Sequence, residues 1–125
     1  MTGRVLIVED DALSLKLTRD VLQAAGFETQ DTGDGREALE LAAEPGTGLV
    51  IMDIGLPGMD GVEVTRLLKL DPRTRDIPVL AVTALAMPED EQRMRSAGCD
   101  AFLTKPVRMQ ELLATVQGLM GGAGA

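Results

Sequence analysis

Five side chains that could do chemistry stand where short apolar runs of the sequence end. Two carboxylates follow the first run, one ends the third, a hydroxyl ends the fourth and an amine follows the fifth: Glu9, Asp10, Asp53, Thr83 and Lys105. Carboxylates that lie close together repel one another unless a cation joins them. The chain has no histidine and a single cysteine, so it offers such a cation hard oxygen ligands, which suit Mg²⁺. The sequence therefore predicts a magnesium site if the fold brings these run ends together.

The composition excludes several other kinds of chemistry. Without histidine there can be no Ser-His-Asp or Cys-His catalysis and no histidine metal ligand. The one cysteine, Cys99, rules out an intrachain disulfide, and we expect it to be a small buried apolar residue. The net charge of −8 argues against nucleic-acid binding, which needs a basic patch. No apolar stretch resembles a membrane span or a secretory signal, so we expect a cytoplasmic protein without membrane insertion.

The elements that must position these residues are apolar runs that alternate with amphipathic stretches. The predicted strands are 5–8, 27–31, 48–53, 78–83 and 101–103, and the predicted helices are 12–25, 34–43, 62–70, 88–98 and 107–120. Runs that lack polar alternation and are separated by helices are typical of parallel strands buried on both faces. With right-handed crossovers they predict a doubly wound α/β fold, a three-layer sandwich around a parallel five-stranded sheet. Ligands of such sheets bind at the carboxyl ends of the strands.

Two further expectations concern the first helix and the domain bounds. In the first helix Leu13, Leu17, Val21 and Ala24 share one face, which is expected to be the apolar face. Asp11 is expected to cap the amino terminus of this helix. We expect one domain over residues 1–120 and a short flexible tail at 121–125, because that tail is rich in glycine.

Taken together, the motifs resemble the receiver domain of two-component response regulators, the CheY-like family. The matching pieces are VLIVEDD, MDIGLPGMDG, the Thr83-Ala84 pair and Lys105-Pro106, in the family's order and spacing. The stretches VTALAM and AGCDAFLTKP are most similar to the single-domain DivK-type regulators of bacterial cell polarity and division. The resemblance implies a flavodoxin-like strand order of 2-1-3-4-5 and a cis Lys105–Pro106 peptide bond.

The resemblance also implies a role for each site residue. Asp53 would accept a phosphoryl group and become a 4-aspartylphosphate. Lys105 would pair with Asp53 at rest and with the phosphoryl group afterwards, and the Thr83 hydroxyl would contact a phosphoryl oxygen. Mg²⁺, with Mn²⁺ as a substitute, would have as ligands Asp10, Asp53, the backbone carbonyl of Gly55, and Glu9 either directly or through a water.

The chain departs from the common family pattern at two positions. Glu9 stands where many receivers have aspartate, and Phe102 occupies the switch position that is often tyrosine. We expect Phe102 to be either a core aromatic or a moving gate.

The partners follow from the same resemblance. Because the chain has no histidine, the phosphohistidine donor must be a separate sensor histidine kinase or histidine phosphotransfer protein. A downstream protein would bind the face formed by the fourth helix, the fifth strand and the fifth helix.

Alternative functions fit the residues less well. A haloacid dehalogenase-type phosphatase also uses an aspartate nucleophile, but that class expects an Asp-x-Asp pair, and Asp53 is followed by Ile54-Gly55. A flavodoxin would need a phosphate-cradling glycine loop after the first strand. A receiver that acts as an unphosphorylated scaffold is a third alternative. The favoured interpretation is a phosphorylation-controlled binding protein that catalyses only its own phosphorylation and dephosphorylation.

Overall fold

Strands and helices alternate along the chain as the sequence predicts. The computed structural model describes residues 3–84 and 87–121, so four of the five residues of the expected tail lie outside the described residues. The strands are β1 (Arg4–Val8), β2 (Thr29–Thr32), β3 (Thr47–Met52), β4 (Val79–Thr83) and β5 (Ala101–Thr104). The helices are α1 (Ala12–Ala24), α2 (Gly35–Ala43), α3 (Gly61–Leu70), α4 (Pro88–Ala97) and α5 (Met109–Leu119). In the described residues, no helix has the length and hydropathy needed to cross a membrane.

All strands form one parallel sheet in the order β2-β1-β3-β4-β5, which confirms the predicted doubly wound fold. The chain passes from β1 to β2 on one side and then crosses to β3 on the other. The carboxyl ends of β1 and β3 therefore flank the point where the strand order reverses, the usual position of a ligand site in such sheets. In the register of this pair Val8 lies opposite Met52, so the residues that follow them also begin side by side.

The central strands β1, β3 and β4 are buried on both faces of the sheet, and their alternate residues enter two separate cores. One core joins the sheet to α2, α3 and α4, and its buried members include Leu6, Val8, Val50, Met52, Val79, Ala81, Ala38, Val64, Leu68 and Met94. The other joins the sheet to α1 and α5, and its buried members include Val5, Ile7, Leu49, Ile51, Leu80, Val82, Leu22, Leu112 and Val116. Burial of this apolar surface is the main favourable contribution to folding. Cys99 is buried in the first core as expected.

The predicted packing face of α1 is wrong for Leu13 and Leu17, although Val21 does pack on the second core. Leu13 and Leu17 are 65% and 58% exposed, whereas Leu22 is fully buried and Leu15 packs beside it on the second core. Leucines on both sides of this helix left its orientation undecided by spacing alone. Its amino terminus is as expected, because the Asp11 carboxylate accepts a hydrogen bond from the Ser14 amide at 2.9 Å.

The second strand begins two residues later than predicted. Gly26 adopts a φ of +94°, which ends α1 in a left-handed turn, and the Phe27 amide donates to the Leu22 carbonyl at 3.0 Å. Phe27 is thereby buried in the core as part of the helix end, although its residue type is common in strands.

Gly61 allows the start of α3 to lie against the backbone that follows β3. A Cβ at this position would overlap the Asp53 carbonyl oxygen, and the Gly61 amide donates to the Ile54 carbonyl at 3.1 Å. We expect Gly61→Ala to lower the free energy of unfolding by about 1–3 kcal/mol through overpacking.

Gly118→Ala is the matched control for this substitution. Gly118 lies in α5, and a Cβ there would have no atom within 4 Å. We expect this alanine to raise the free energy of unfolding by about 0.5 kcal/mol, since glycine is a poor helix former. Urea unfolding followed by circular dichroism measures both changes. Equal effects of the two substitutions would contradict the proposed packing at Gly61.

Candidate functional site

The structure brings the five side chains singled out in the sequence to the carboxyl edge of the sheet. Glu9 and Asp10 follow β1, Asp53 follows β3, Thr83 ends β4 and Lys105 follows β5. Asp53, predicted as the last strand residue, is the first residue beyond β3, and its amide donates to the Val8 carbonyl at 3.1 Å. Backbone pairing of β1 with β3 thus sets the positions of the first three carboxylates.

Asp53 is a buried carboxylate with a donor at each oxygen. It is 8% exposed; Oδ1 accepts from the Gly55 amide at 3.1 Å, and Oδ2 lies 3.3 Å from the Lys105 ammonium. Burial pushes the pKa of Asp53 upward, but the hydrogen bond from the Gly55 amide and the charge of Lys105 help to outweigh it, and the pKa is lowered. Asp53 is therefore held in the ionised form that a carboxylate nucleophile requires.

Glu9 and Lys105 form the shortest polar contact of the site. The Lys105 ammonium donates to Glu9 Oε1 at 2.5 Å, and the Asp11 amide donates to Oε2 at 3.1 Å. Burial raises the pKa of Glu9. Burial would lower the pKa of Lys105, but the hydrogen bond with Glu9 and the charge of Asp53 raise it above its ordinary value. Lys105 therefore remains a cation between two carboxylates.

The site has a donor set that fits a divalent metal. Glu9, Asp10 and Asp53 each offer a carboxylate oxygen, and these oxygens all lie within 4.8 Å of one another. When all three are ionised, the single ammonium of Lys105 leaves them with two uncompensated negative charges. A small dication with a preference for oxygen ligands, such as Mg²⁺, matches both the charge and the ligand type. The expected ligation by the Gly55 carbonyl stays a prediction.

Thr83 and Phe102 complete the set of predicted site residues. Thr83 is 1% exposed, and its side chain lowers the pKa of Asp53 as a hydrogen-bond partner. Phe102 is partly buried on β5 and packs against the core beneath α3 and α4. The Lys105–Pro106 peptide bond is cis, as expected. The roles assigned to these side chains remain predictions.

The contact between Glu9 and Lys105 is the feature that sequence reasoning missed. Glu9 was expected only as a metal ligand, yet its shortest contact is with an amine 96 residues away in the chain. The available signal was its length, since glutamate reaches one methylene further than the more common aspartate.

Comparison with known proteins gives concordant matches over nearly the whole chain. The model of the response regulator receiver domain matches residues 5–117. The polar-differentiation response regulator DivK of Brucella ovis is 48% identical over 123 residues, which cover 98% of this chain and 100% of that protein.

Solved structures with the same fold are also similar. The receiver domain of a sensor histidine kinase from Pseudomonas aeruginosa, with a magnesium ion coordinated in its active-site cleft, superposes with a TM-score of 0.89 at 28% identity. That match covers 97% of this chain and 99% of the other. The chemotaxis protein CheY4 of Vibrio cholerae superposes with a TM-score of 0.88 at 30% identity, over 95% of this chain and 99% of the other.

Asp10→Asn should weaken Mg²⁺ binding and yet stabilise the metal-free protein. Removal of one of three crowded carboxylates relieves repulsion that a bound cation would otherwise cancel. The dissociation constant for Mg²⁺ should rise by at least about tenfold, the loss typical even of an outer-shell partner. Isothermal titration calorimetry measures the affinity, and thermal unfolding in a chelator measures the stability.

Asp11→Asn makes the same chemical change one residue away. Asparagine caps helices as well as aspartate does, so the fold should be kept. Asp11 contributes no carboxylate to the cluster, and its substitution should leave Mg²⁺ affinity nearly unchanged. Comparable losses of affinity in the two variants would show that Asp10 acts only through its charge.

Proposed function

The chain belongs to the response regulator receiver family of two-component signalling, and from this membership we propose that Asp53 accepts a phosphoryl group from a phosphohistidine donor in a Mg²⁺-dependent reaction. The observation that carries the proposal is the buried, ionised Asp53 in contact with Lys105, with two further carboxylates within metal-binding reach. Receiver domains bind Mg²⁺ at an acidic pocket and act as signalling proteins rather than as classical enzymes. The acidic cluster of this chain is compatible with that metal.

In the proposed step an Asp53 carboxylate oxygen forms a bond to phosphorus. The phosphorus–nitrogen bond of the donor breaks, and its electron pair returns to the imidazole. Negative charge develops on the peripheral phosphoryl oxygens, where the Lys105 ammonium and the Thr83 hydroxyl would donate hydrogen bonds. Mg²⁺, or Mn²⁺ in its place, neutralises part of that charge when bound. Asp10, Asp53 and the Gly55 carbonyl would hold the metal, with Glu9 beside them.

The partners of this reaction are other proteins. The chain has no histidine, so the donor is a separate sensor histidine kinase or histidine phosphotransfer protein. We assign the downstream target to the face made by α4, β5 and α5. Two exposed methionines support this assignment, Met87 at the start of α4 (59% exposed) and Met109 at the start of α5 (62% exposed). Methionine side chains supply adaptable apolar contact area.

The output is proposed to be phosphorylation-controlled binding by a single-domain regulator in cell-polarity or cell-cycle control. Support comes from the Brucella relative, whose name gives it a role in polar differentiation and whose whole length is covered by the match. Phosphorylation would act by changing the partners of Lys105 and Thr83 at the edge of the sheet next to that face.

Acetyl phosphate with Mg²⁺ should add a single phosphoryl group, at Asp53. Intact-mass spectrometry counts the groups added, and Asp53→Asn or a chelator should abolish the labelling. Asp71→Asn is the matched control. Asp71 follows the last residue of α3, at the end of the helix away from Asp53, and it pairs with Arg73. Labelling that persists in Asp53→Asn would refute the assignment. A folded natural protein that takes up no label would favour the unphosphorylated scaffold instead.

The phosphoryl group should be long-lived. In receivers the residues two beyond the acceptor and two beyond the threonine influence hydrolysis, and here these are Gly55 and Leu85. Neither has a side-chain amide or carboxylate to orient the attacking water. Leu85 lies outside the described residues.

The Gly55→Asn, Leu85→Glu double variant tests this explanation of the lifetime. Gly55 is exposed, and its φ is not left-handed, so asparagine can be accommodated there. We expect the natural protein to lose phosphate about tenfold more slowly than the double variant, an effect smaller than the roughly 10²–10⁴-fold contribution of a full general acid–base catalyst. Phosphate release from purified phosphoprotein measures both rates. Equal rates would show that these positions do not control the lifetime.

A further inference from the structure

Helix α4 is docked on the rest of the fold by little apolar contact. Seven of the ten residues in its sequence, PEDEQRMRSA, are polar or charged. In the described part of the chain, its buried side chains are Met94 and Ala97, and of these only Met94 is large. Helices in proteins are stabilised mainly by packing of their apolar face. A helix with one large buried side chain therefore needs other contacts to keep its position.

An ion pair with α3 provides such a contact. The Arg93 guanidinium donates from Nη2 to Asp60 Oδ2 at 2.7 Å, and its Nη1 lies 3.9 Å from Asp90 Oδ1 in the first turn of α4. Asp60 is also the residue that caps α3, because its Oδ1 accepts from the Val62 amide at 2.9 Å. The Asp60 carboxylate thus uses one oxygen for its own helix and the other for the neighbouring helix.

The position of Asp60 is set by the backbone that follows Asp53. The next residue, Gly61, lies against the Asp53 carbonyl oxygen, and its amide donates to the Ile54 carbonyl at 3.1 Å. The carboxylate of the ion pair is therefore fixed to the sheet through the start of α3. The arginine, in contrast, is carried by the helix with little apolar packing.

We propose that the ion pair of Asp60 with Arg93 is a tether that sets how often α4 separates from α3 while the rest of the fold stays intact. The two side chains are 43% and 51% exposed, so the pair has the modest strength of a surface ion pair and is weakened by salt. Met87 immediately precedes α4 and belongs to the face assigned above to the downstream target. The tether therefore also fixes this part of the face, a consequence that rests on the proposed function.

Asp60→Asn tests the tether without any change in α4 itself. Asparagine caps helices as well as aspartate does, so α3 should keep its start, but the charge that holds Arg93 is lost. In unphosphorylated protein the backbone amides of α4 should then exchange hydrogen about two- to fivefold faster, the factor that corresponds to loss of an exposed ion pair. Nuclear magnetic resonance measures this exchange amide by amide.

Asp34→Asn is the matched control, since it makes the same change at the cap of α2. The Asp34 carboxylate accepts from the Arg36 amide of its own helix at 2.9 Å. Its substitution should leave hydrogen exchange in α4 unchanged.

A double-mutant cycle shows whether the effect passes through Arg93. Arg93→Gln should speed exchange in α4, and its combination with Asp60→Asn should be no faster than either single variant. Arg93→Lys keeps the charge and should stay closer to the natural rate than Arg93→Gln. Arg95 pairs instead with Glu91 of its own helix at 2.8 Å, so the effects of Arg95→Gln and Asp60→Asn should multiply.

Salt gives a second measurement that depends on charge. An increase in ionic strength from about 0.05 M to about 0.5 M screens exposed charges. Exchange in α4 of the natural protein should then rise toward the rate of Asp60→Asn, and the variant should respond less.

Three results would overturn the proposal: unchanged exchange of α4 in Asp60→Asn, effects of Asp60→Asn and Arg93→Gln that multiply, or an equal rise of exchange in the central strands, which would indicate a loss of global stability. All of these measurements use unphosphorylated protein. They report on the tether even if the natural protein takes up no label, a result that would overturn the proposed function of Asp53 alone.

Discussion

The contact of one ammonium with two buried carboxylates is the interaction on which this site depends. Glu9 and Asp53 are each less than 9% exposed, and a buried carboxylate without a partner would cost several kcal/mol. Lys105 lies within 3.3 Å of both and compensates them, while the Gly55 and Asp11 amides complete their hydrogen bonding. Because these side chains directly follow β1, β3 and β5 of one sheet, the pairings of β1 with β3, β3 with β4 and β4 with β5 must all be correct before the charges can meet.

Lys105 compensates only part of the negative charge of the site, and the remaining charge is what allows the site to bind a cation. Three carboxylates against one ammonium leave an excess of negative charge that a dication can cancel. Under the proposed function, the phosphoryl group would then arrive at a site where Lys105 and the metal both supply positive charge. The repulsion costs stability in the metal-free protein. The two hydrophobic cores, which bury alternate residues of every central strand, stabilise the sheet enough to tolerate it. The crowded carboxylates thus lower the stability of the fold while they favour cation binding, a conflict that is common at functional sites.

How much the sequence predicts depends on whether a feature is set by pattern or by side-chain reach. Strand identity, parallel pairing and the gathering of Asp10, Asp53 and Thr83 at one edge follow from apolar runs separated by helices. The packing face of α1 does not follow from the pattern, because leucines on both sides of the helix make two orientations compatible with the spacing. In the structure, Leu22 is buried in the second core, and this burial sets the orientation. The pairing of Glu9 with Lys105 was also out of reach, since it depends on side-chain lengths across elements far apart in sequence.

The two edges of the sheet differ in how firmly β4 and β5 are fixed. At the amino edge the Asp100 carboxylate accepts from the Val79 amide at 2.8 Å and from the Lys69 ammonium at 3.1 Å, and Lys69 also donates to the Ile77 carbonyl at 2.8 Å. At the carboxyl edge, the Lys105 side chain contacts Glu9 and Asp53. Phosphorylation of Asp53 would alter these contacts. The contacts that fix the starts of β4 and β5 therefore lie away from Asp53, whereas the contacts of Lys105 lie beside it. Under the proposed function, phosphorylation of Asp53 would change the contacts of Lys105 and leave those of Asp100 and Lys69 unaltered.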